Sequence, residues 1–227
     1  MLDLFSCSGA ATVGYQRAGF TVVGVDKDPQ PNYPRSATFV QADAIEYAAQ
    51  FAHLYDFVHA SPPCQSETAL TKGTNQGREY PKLIGPIREA LLKAGVPFVI
   101  ENVQGASVRR DLMLCGDMFE GLEVIRHRLF ELHGVTVAQP RHGRHRGRVR
   151  GWRHGTYYPG PYVAVYGEGG GKGSVPEWQR AMGITHTSVR REIAEALPPA
   201  YTEYIGRAVR LQLEARRPAS APGRAAA

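Results

Sequence analysis

The sequence predicts an α/β protein built on a mostly parallel, doubly wound sheet. Short apolar runs alternate with helix-like stretches through the first half of the chain. This alternation is typical of parallel strands whose sheet carries helices on both faces. Polar or small residues follow each apolar run, and ligands of such sheets bind beyond the carboxyl ends of the strands. The sequence therefore predicts one ligand site along that edge.

The predicted elements can be placed in order along the chain. The strands are predicted at Leu2–Phe5, Phe20–Val25, Ala37–Gln41, Phe57–Ala60 and Phe98–Ile100, and the helices from the first turn to Ala18, at about 44–53 and at about 84–94. Residues 133–176 show little periodicity in their apolar positions, and Tyr162–Tyr166 is the strand candidate within them. A further helix is predicted from Pro199 to about Arg216.

The composition is that of one globular domain, with or without a small appendage. The chain has 227 residues, of which 43% are hydrophobic and 21% are charged, and this balance excludes a disordered chain. Cys7, Cys64 and Cys115 are too few for a disulfide framework and favour a reducing compartment. No apolar run is long enough to span a membrane, and no signal peptide is recognisable. We therefore expect a cytoplasmic protein with no membrane partner.

The positive charge of the chain is concentrated in one short segment. The net charge is +6, and the stretch from Gly134 to Tyr158 contains six arginines and no Asp, Glu or Lys. These arginines, which account for the whole excess, are Arg141, Arg144, Arg146, Arg148, Arg150 and Arg153. A localised basic segment of this kind indicates a polyanionic partner.

Three signals at successive strand ends predict an adenosine-containing cofactor. The small-residue turn around Gly9 lets a ligand approach the backbone at a helix N-terminus. Asp26, about 20 residues further on, is placed to bind ribose hydroxyls, and Asp43 could accept from an adenine amino group. A full G-x-G-x-x-G is absent, which counts against a dinucleotide.

Two further motifs supply reactive side chains. In Ser61-Pro62-Pro63-Cys64-Gln65, the prolines fix the backbone and hold the thiol at a strand end, as a nucleophile requires. The strand Phe98–Ile100 leads into Glu101, whose carboxyl could protonate a ring nitrogen. Arg126 and Arg128 are two residues apart and would share a face if they lie on a strand. There they could bind a base carbonyl and a phosphate. Taken alone, the motif would suit a solvated edge strand equally.

The order of these motifs resembles that of the DNA cytosine-5 methyltransferases. The match covers residues 1 to about 132 and about 178–210, and the pair Pro-Pro-Cys-Gln and Glu-Asn-Val is highly specific. The resemblance implies a Rossmann-like methyltransferase fold, S-adenosylmethionine as cofactor and double-stranded DNA as partner. It further implies that Cys64, Glu101, Arg126 and Arg128 are catalytic, that the cofactor contacts Phe5, Ser6, Gly9, Ala10, Asp26, Lys27, Asp43, Ala44 and Pro62, and that Gln65 joins the six arginines in binding DNA.

The resemblance also divides the chain and has clear departures. It implies a catalytic and cofactor-binding domain at 1–132, a short target-recognition region at 133–177, and a return segment with a C-terminal helix at 178–216. The Ala/Pro/Arg-rich composition of 217–227 predicts a disordered tail. Ala196–Tyr201 resembles the last family motif, which opens a helix against the cofactor pocket. Departures are Cys7 in place of a glycine, Lys27 in place of a large apolar residue, Val124 in place of a Gln, and Glu195 near the usual Gly-Asn.

Alternatives remain at this point. A cytosine-5 methyltransferase acting on RNA would suit the basic segment equally, and an inactive relative that binds DNA is a second possibility. A methyltransferase for exocyclic amines would carry Asp/Asn-Pro-Pro-aromatic where this chain has Ser-Pro-Pro-Cys. We expect no metal, because His142, His145 and His154 have no cysteine nearby in the sequence and no fixed spacing, and we expect Cys115 to be structural. We further expect a monomer of prokaryotic or phage origin.

Overall fold

A seven-stranded sheet forms the centre of the protein, whose computed structural model describes residues 1–63, 82–167 and 173–216. Cys64, Gln65 and the expected tail 217–227 lie outside these residues. The strands of the sheet are β1 (Leu2–Leu4), β2 (Val23–Asp26), β3 (Thr38–Gln41), β4 (Val58–Ala60), β5 (Phe98–Asn102), β6 (Leu112–Leu114) and β7 (Arg128–His133).

The sheet runs in the order β3-β2-β1-β4-β5-β7-β6. β1 pairs in parallel with both β2 and β4, and β3 and β5 extend these parallel pairs outward. β7 is antiparallel to both of its neighbours, β5 and β6. The prediction of a mostly parallel, doubly wound sheet is confirmed. The strand order reverses direction at β1, and a crevice for a ligand opens beyond the carboxyl ends of strands at such a point.

Helices cover both faces of the sheet. The helices are α1 (Ala10–Arg17), α2 (Ala44–Phe51), α3 (Ile84–Ala94), α4 (Val175–Met182), α5 (Arg190–Glu195) and α6 (Pro199–Arg216). Ala48 of α2 and Ile87 of α3 pack in one buried cluster, whereas Tyr15 of α1 and Ile205 of α6 pack in another. Among the residues that the structure describes, no helix is long and apolar enough to cross a membrane.

The first and last helices are in unusually close contact. A Cβ atom at Gly14 of α1 would collide with Thr202 Oγ1 and the Pro199 carbonyl of α6, so only glycine fits there. Thr202 Oγ1 also donates a hydrogen bond to the Ala11 carbonyl over 2.8 Å. The helix predicted from Pro199 is therefore present and supports the helix that follows the first turn.

The segment after β7 differs from its prediction. Tyr162–Tyr166 is not a strand, because Tyr162 forms only an isolated bridge with Val149, and the Val163 N–H donates to the Glu123 carbonyl of a loop. An antiparallel hairpin forms instead, from β8 (Gly151–Arg153) and β9 (Thr156–Tyr158). Val163 packs with Trp178 in a third buried cluster, so this segment shares its core with the return segment.

Candidate active site

Asp26 organises the loop that follows β1. Its carboxylate accepts hydrogen bonds from the Cys7 N–H at 2.9 Å and from the Asp28 N–H at 3.0 Å, one on each oxygen. The residue is buried at the carboxyl end of β2, with 8% of its surface exposed. A carboxylate oxygen can accept a second hydrogen bond. Asp26 is therefore fixed by backbone groups and can still accept from a hydroxyl.

The same loop is held in a rarely occupied backbone conformation. Phe5 and Cys7 have φ angles of 57° and 44°, and Gly9, which precedes α1, has a φ of 84°. Positive φ is costly for residues other than glycine, and such strain clusters at ligand sites. It also explains why a glycine would suit position 7. A Cβ at Gly9 would lie 2.5 Å from Pro34 Cδ, so the loop lies tightly against its neighbour.

Asp3 is a buried acid that sequence analysis did not single out. It is fully buried in β1, where one oxygen accepts from Thr12 Oγ1 at 2.6 Å and the other has no hydrogen-bond partner among the described residues. Burial raises the pKa of Asp3 to about 7. The position of this acid within the first apolar run was the feature of the sequence that could have indicated a buried carboxyl. A buried oxygen without a protein partner directly below the first loop fits a site that is completed by a ligand or by water.

The remaining predicted cofactor residues line the neighbouring strand ends. Asp43 caps α2, where its Oδ1 accepts from the Ile45 and Glu46 N–H groups at 2.8 and 3.0 Å. The side chain of Lys27 is exposed, and the backbone carbonyl of Lys27 accepts a hydrogen bond from the Gln41 side chain. The buried members of the set are Ser6, Ala10, Ala44 and Pro62. Contacts therefore join the first loop to Asp26, and Asp43 lies one strand further along the same edge.

Glu101 is a buried carboxyl at the carboxyl end of β5. Its Oε1 lies 2.9 Å from Nε of Arg128, the first residue of β7. Burial raises the pKa of Glu101, and the charges of Arg128 and Arg126 and a hydrogen bond from Ser61 oppose this shift. Because burial outweighs the opposing contacts, the neutral acid is favoured more than in a solvated glutamate. Glu101 is therefore suited to give a proton or a hydrogen bond to a ring nitrogen.

A chain of buried hydrogen bonds runs behind Glu101. Tyr15 OH lies 2.9 Å from His59 Nδ1, and His59 Nε2 lies 2.7 Å from Ser61 Oγ. Burial lowers the pKa of His59 to about 3, so the ring is neutral. Ser61 in turn interacts with Glu101. Sequence analysis missed His59, although a histidine inside an apolar strand directly before the proline motif was a usable signal.

Asn102 links the two predicted catalytic segments. Its Nδ2 donates to the Pro62 carbonyl at 2.9 Å, and its Oδ1 accepts from the Val103 N–H at 2.9 Å. The bond ties Pro62, two residues before Cys64, to Asn102, the residue that directly follows Glu101. Since Cys64 and Gln65 lie outside the described residues, their roles stay predictions.

The structure separates the two predicted catalytic arginines. β7 begins at Arg128, so Arg126 lies before the strand, and the condition that both arginines lie on one strand is not met. The Arg126 guanidinium donates to the carbonyls of Val165 and Ala194 at 2.9 and 2.6 Å. Tyr201 OH donates to the Arg126 carbonyl at 2.7 Å. Arg126 therefore joins the segment after β7 to the return segment, and both arginines remain close enough to lower the pKa of Glu101.

The arginines of the basic segment fall into two groups. Arg146 Nε lies 2.7 Å from Asp117 and Arg150 NH1 lies 2.9 Å from Glu123, so these two are neutralised within the protein. Arg141, Arg144 and Arg148 are exposed and form no ion pair with any residue that the structure describes. The backbone of the sixth, Arg153, ends β8.

The hairpin of β8 and β9 was not predicted, and it presents aromatic side chains. Trp152 and Tyr157 are 65% and 48% exposed, and their rings pack 5.6 Å apart. The Arg148 guanidinium lies 5.6 Å from the Tyr158 ring. The turn residues His154 and Gly155 have φ angles of 49° and 77°, so the His-Gly pair was a usable turn signal. Exposed aromatic rings beside arginines suit a surface that contacts nucleic-acid bases and phosphates.

The sheet order and the helices on both faces define a Rossmann-like, doubly wound α/β fold. No family model matches the chain. The chain is 33% identical over 125 residues to the Type II methyltransferase M.AquIA of Picosynechococcus sp., a match that covers 46% of this chain and 48% of the relative. It is 27% identical over 142 residues to the Type II methyltransferase M.FnuDI of Fusobacterium nucleatum, covering 57% and 40%.

The chain thus matches less than half of the length of each of these curated relatives. Among solved structures, a crystal structure of a Spodoptera frugiperda DNMT2 mutant aligns with a TM-score of 0.40 and 19% identity, over 57% of this chain and 47% of that chain.

Proposed function

We propose that this chain transfers a methyl group from S-adenosylmethionine to carbon 5 of cytosine in DNA, with Cys64 as the nucleophile. The observation that carries this proposal is the hydrogen bond from Asn102 to Pro62, which joins the buried acid Glu101 to the chain that enters Cys64. The similarity to two Type II methyltransferases supports methyl transfer as the reaction.

The edge formed by β1, β2 and β3 fits the proposed cofactor. The strained loop from Phe5 to Gly9 brings backbone close to a ligand, and Asp26 can accept from ribose hydroxyls. The N-terminal N–H groups of α1 face this loop. When bound here, S-adenosylmethionine supplies an electrophilic methyl group on its sulfonium.

The proposed chemistry follows from the weak nucleophilicity of carbon 5 of cytosine. Addition of the Cys64 thiolate to carbon 6 makes carbon 5 enamine-like. The neutral carboxyl of Glu101 gives its proton to ring nitrogen 3 as negative charge develops there, while Arg128 at 2.9 Å balances the resulting carboxylate. Carbon 5 then takes the methyl group and a base removes the carbon-5 proton. The thiolate leaves as the ring regains its double bond, and ring nitrogen 3 returns its proton to Glu101.

DNA is the proposed substrate because the basic segment offers separate groups for phosphates and bases. Arg141, Arg144 and Arg148 are exposed for phosphate contacts, and Trp152 and Tyr157 for stacking. A duplex hides carbon 6, so the target base must leave the stack, at a cost of a few kcal/mol. An RNA substrate of the same chemistry, or binding without catalysis, is separated from this proposal by the following experiment.

The test is covalent trapping on 5-fluorocytosine. A long duplex of mixed sequence, in which all cytosines are replaced by 5-fluorocytosine, presents many sequence contexts, so the target sequence need not be known beforehand. Thiolate addition and methyl transfer proceed on this base, but the final step fails, because a base cannot remove fluorine as a cation. We expect an adduct that survives denaturation, requires S-adenosylmethionine and is lost in Cys64→Ala.

The controls separate the alternatives. Methylation of the matching unmodified duplex at carbon 5 without any adduct on the fluorinated duplex would overturn the covalent mechanism. An adduct on the RNA analogue alone would assign the substrate to RNA. Neither methylation nor adduct, with intact DNA binding, would identify an inactive relative.

A further inference from the structure

Four side chains that the proposed reaction does not use converge beside the start of β7. They are Cys115, His127, His142 and His145, and their nearest nitrogen and sulfur atoms all lie within 4.8 Å of one another. Cys115 is fully buried directly after β6, and His127 directly precedes β7. Cys115 is distant from these histidines in the sequence, but the fold brings its Sγ to 3.5 Å from His145 Nε2, which removes one ground for expecting no metal.

Two distances within this cluster match the edges of a tetrahedral metal site, and the other ligand atoms lie within 4.8 Å of one another. Zinc bonds of ~2.0–2.1 Å to nitrogen and ~2.3 Å to sulfur place two tetrahedral nitrogens ~3.3 Å apart and a nitrogen and a sulfur ~3.6 Å apart. His142 Nε2 and His145 Nε2 are 3.2 Å apart, and Cys115 Sγ and His145 Nε2 are 3.5 Å apart. The three imidazole rings lie 5.0–5.3 Å apart, so each can turn a nitrogen toward a common centre.

The Cys115 sulfur also has hydrogen-bond donors from the backbone around it. The N–H groups of Asp117 and Arg126 hydrogen-bond to this sulfur. Such contacts hold a metal-binding sulfur in place and orient it.

We propose that Cys115, His127, His142 and His145 bind one zinc ion in a closed, structural site. One thiolate and three imidazoles are ligands that zinc prefers, and four protein ligands leave no open position for catalysis. On binding, Cys115 gives its proton to solvent, and each histidine donates the lone pair of an unprotonated nitrogen.

The site would join three stretches of chain that are far apart in the sequence. Cys115 lies beyond β6, His127 lies between Arg126 and Arg128, and His142 and His145 flank Arg144 in the basic segment. The ion would thereby hold the exposed arginines of this segment in a fixed position relative to the arginine beside Glu101.

The test is the metal content of the full chain, which is measured without any methyl-transfer assay. The protein, expressed in zinc-containing medium and dialysed, should carry about one zinc per chain. Cys115→Ser and His142→Ala should each lose it. His53→Ala, which removes an exposed histidine outside the cluster, should keep it.

Cobalt substitution provides a second readout that does not depend on the folding of any variant. Co²⁺ added to the metal-free wild-type chain should give a thiolate-to-metal absorption band in the near ultraviolet and the intense visible bands of tetrahedral coordination. The bands should persist in Cys7→Ser and Cys64→Ser and vanish in Cys115→Ser. A wild-type chain that carries no zinc and gives no thiolate band with cobalt would overturn the proposal.

Discussion

The side-chain amide of Asn102 donates a hydrogen bond to the carbonyl oxygen of Pro62 over 2.9 Å and thereby joins the ends of β4 and β5. The two strands are parallel neighbours, so the sheet brings these ends together and the bond fixes their separation. The proposed acid and the segment that leads to the proposed nucleophile are positioned as one unit.

Removal of this bond should reduce turnover. In Asn102→Ala the Pro62 carbonyl loses its partner, which should cost about 1–3 kcal/mol of unfolding free energy. Because the chain before Cys64 is then less well placed, kcat should fall on the order of 10- to 100-fold with little change in cofactor affinity. Gln179→Ala is a matched control, since its amide also donates to a carbonyl at 2.9 Å, that of Thr187. Equal kcat losses in both variants would show that stability alone is responsible.

Cys64→Ser should abolish methyl transfer and leave S-adenosylmethionine binding nearly unchanged. A hydroxyl is far less ionised than a thiol near neutral pH, so addition to carbon 6 fails. Transfer of a labelled methyl group in a single cycle measures turnover, and calorimetry measures the affinity for S-adenosylmethionine. Together these measurements separate the loss of transfer from any loss of cofactor binding. Wild-type turnover in the serine variant would remove Cys64 from the mechanism.

Asp26→Ala should weaken cofactor binding more than it slows transfer at saturating cofactor. The bonds removed are charge-assisted contacts to a ribose that does not react, each contributing about 1.5–3 kcal/mol. The dissociation constant should therefore rise roughly 10- to 100-fold. Asp28→Ala is the control, because Asp28 is exposed two residues away. Unchanged affinity in Asp26→Ala would contradict the assignment of the pocket.

The pH dependence of kcat/KM should report Glu101. Burial raises its pKa, and the mechanism needs the protonated acid, so the rate should fall as pH rises through that pKa. The charge of Arg128 opposes this rise in pKa, so Arg128→Leu should raise the pKa of Glu101 further. The alkaline limb of the pH profile should then move to higher pH, even if the variant has a lower maximal rate. An alkaline limb that stays in place in Arg128→Leu would assign it to another group.

The exposed arginines should determine the salt dependence of DNA binding. Replacement of Arg141, Arg144 and Arg148 by glutamine should weaken binding to all sequences and reduce the slope of log K against log salt by about 0.9 for each phosphate that is no longer neutralised. Arg146→Gln/Arg150→Gln should change the slope less, because both side chains already bind carboxylates. If the triple variant has the same slope of log K against log salt as the wild type, the basic segment is a solvated loop that does not contact phosphates.

Sequence analysis located the elements whose signals are local. The helix predicted at 84–94 is α3 (Ile84–Ala94), since its apolar positions have helical spacing and Gly95, with a φ of 69°, ends it. The strand ends of the central sheet were also found, because each apolar run ends in a polar or small residue. The strands β6, β8 and β9 were missed: β8 and β9 contain no apolar run, and the apolar run Leu112–Leu114 of β6 was not interpreted as a strand.

The parts of the candidate site that depend on tertiary contacts could not be predicted. Nothing in the local sequence of Asn102 indicates that its partner is Pro62, and Cys115 meets His142 and His145 only because β6 lies beside β7. The same holds for Arg126, whose guanidinium donates to the carbonyls of Val165 and Ala194, 39 and 68 residues further along the chain.

The contact between α1 and α6 has a consequence for the order of folding. The hydrogen bond between Thr202 and Ala11 spans 191 residues, and Gly14 allows the two helices to touch. Contacts between residues so distant in sequence form slowly, and during synthesis they must wait for the later partner to emerge. The first loop is made long before α6, yet the helix behind it gains its support only when α6 emerges from the ribosome. A nascent chain should therefore acquire affinity for its cofactor only after α6 has emerged.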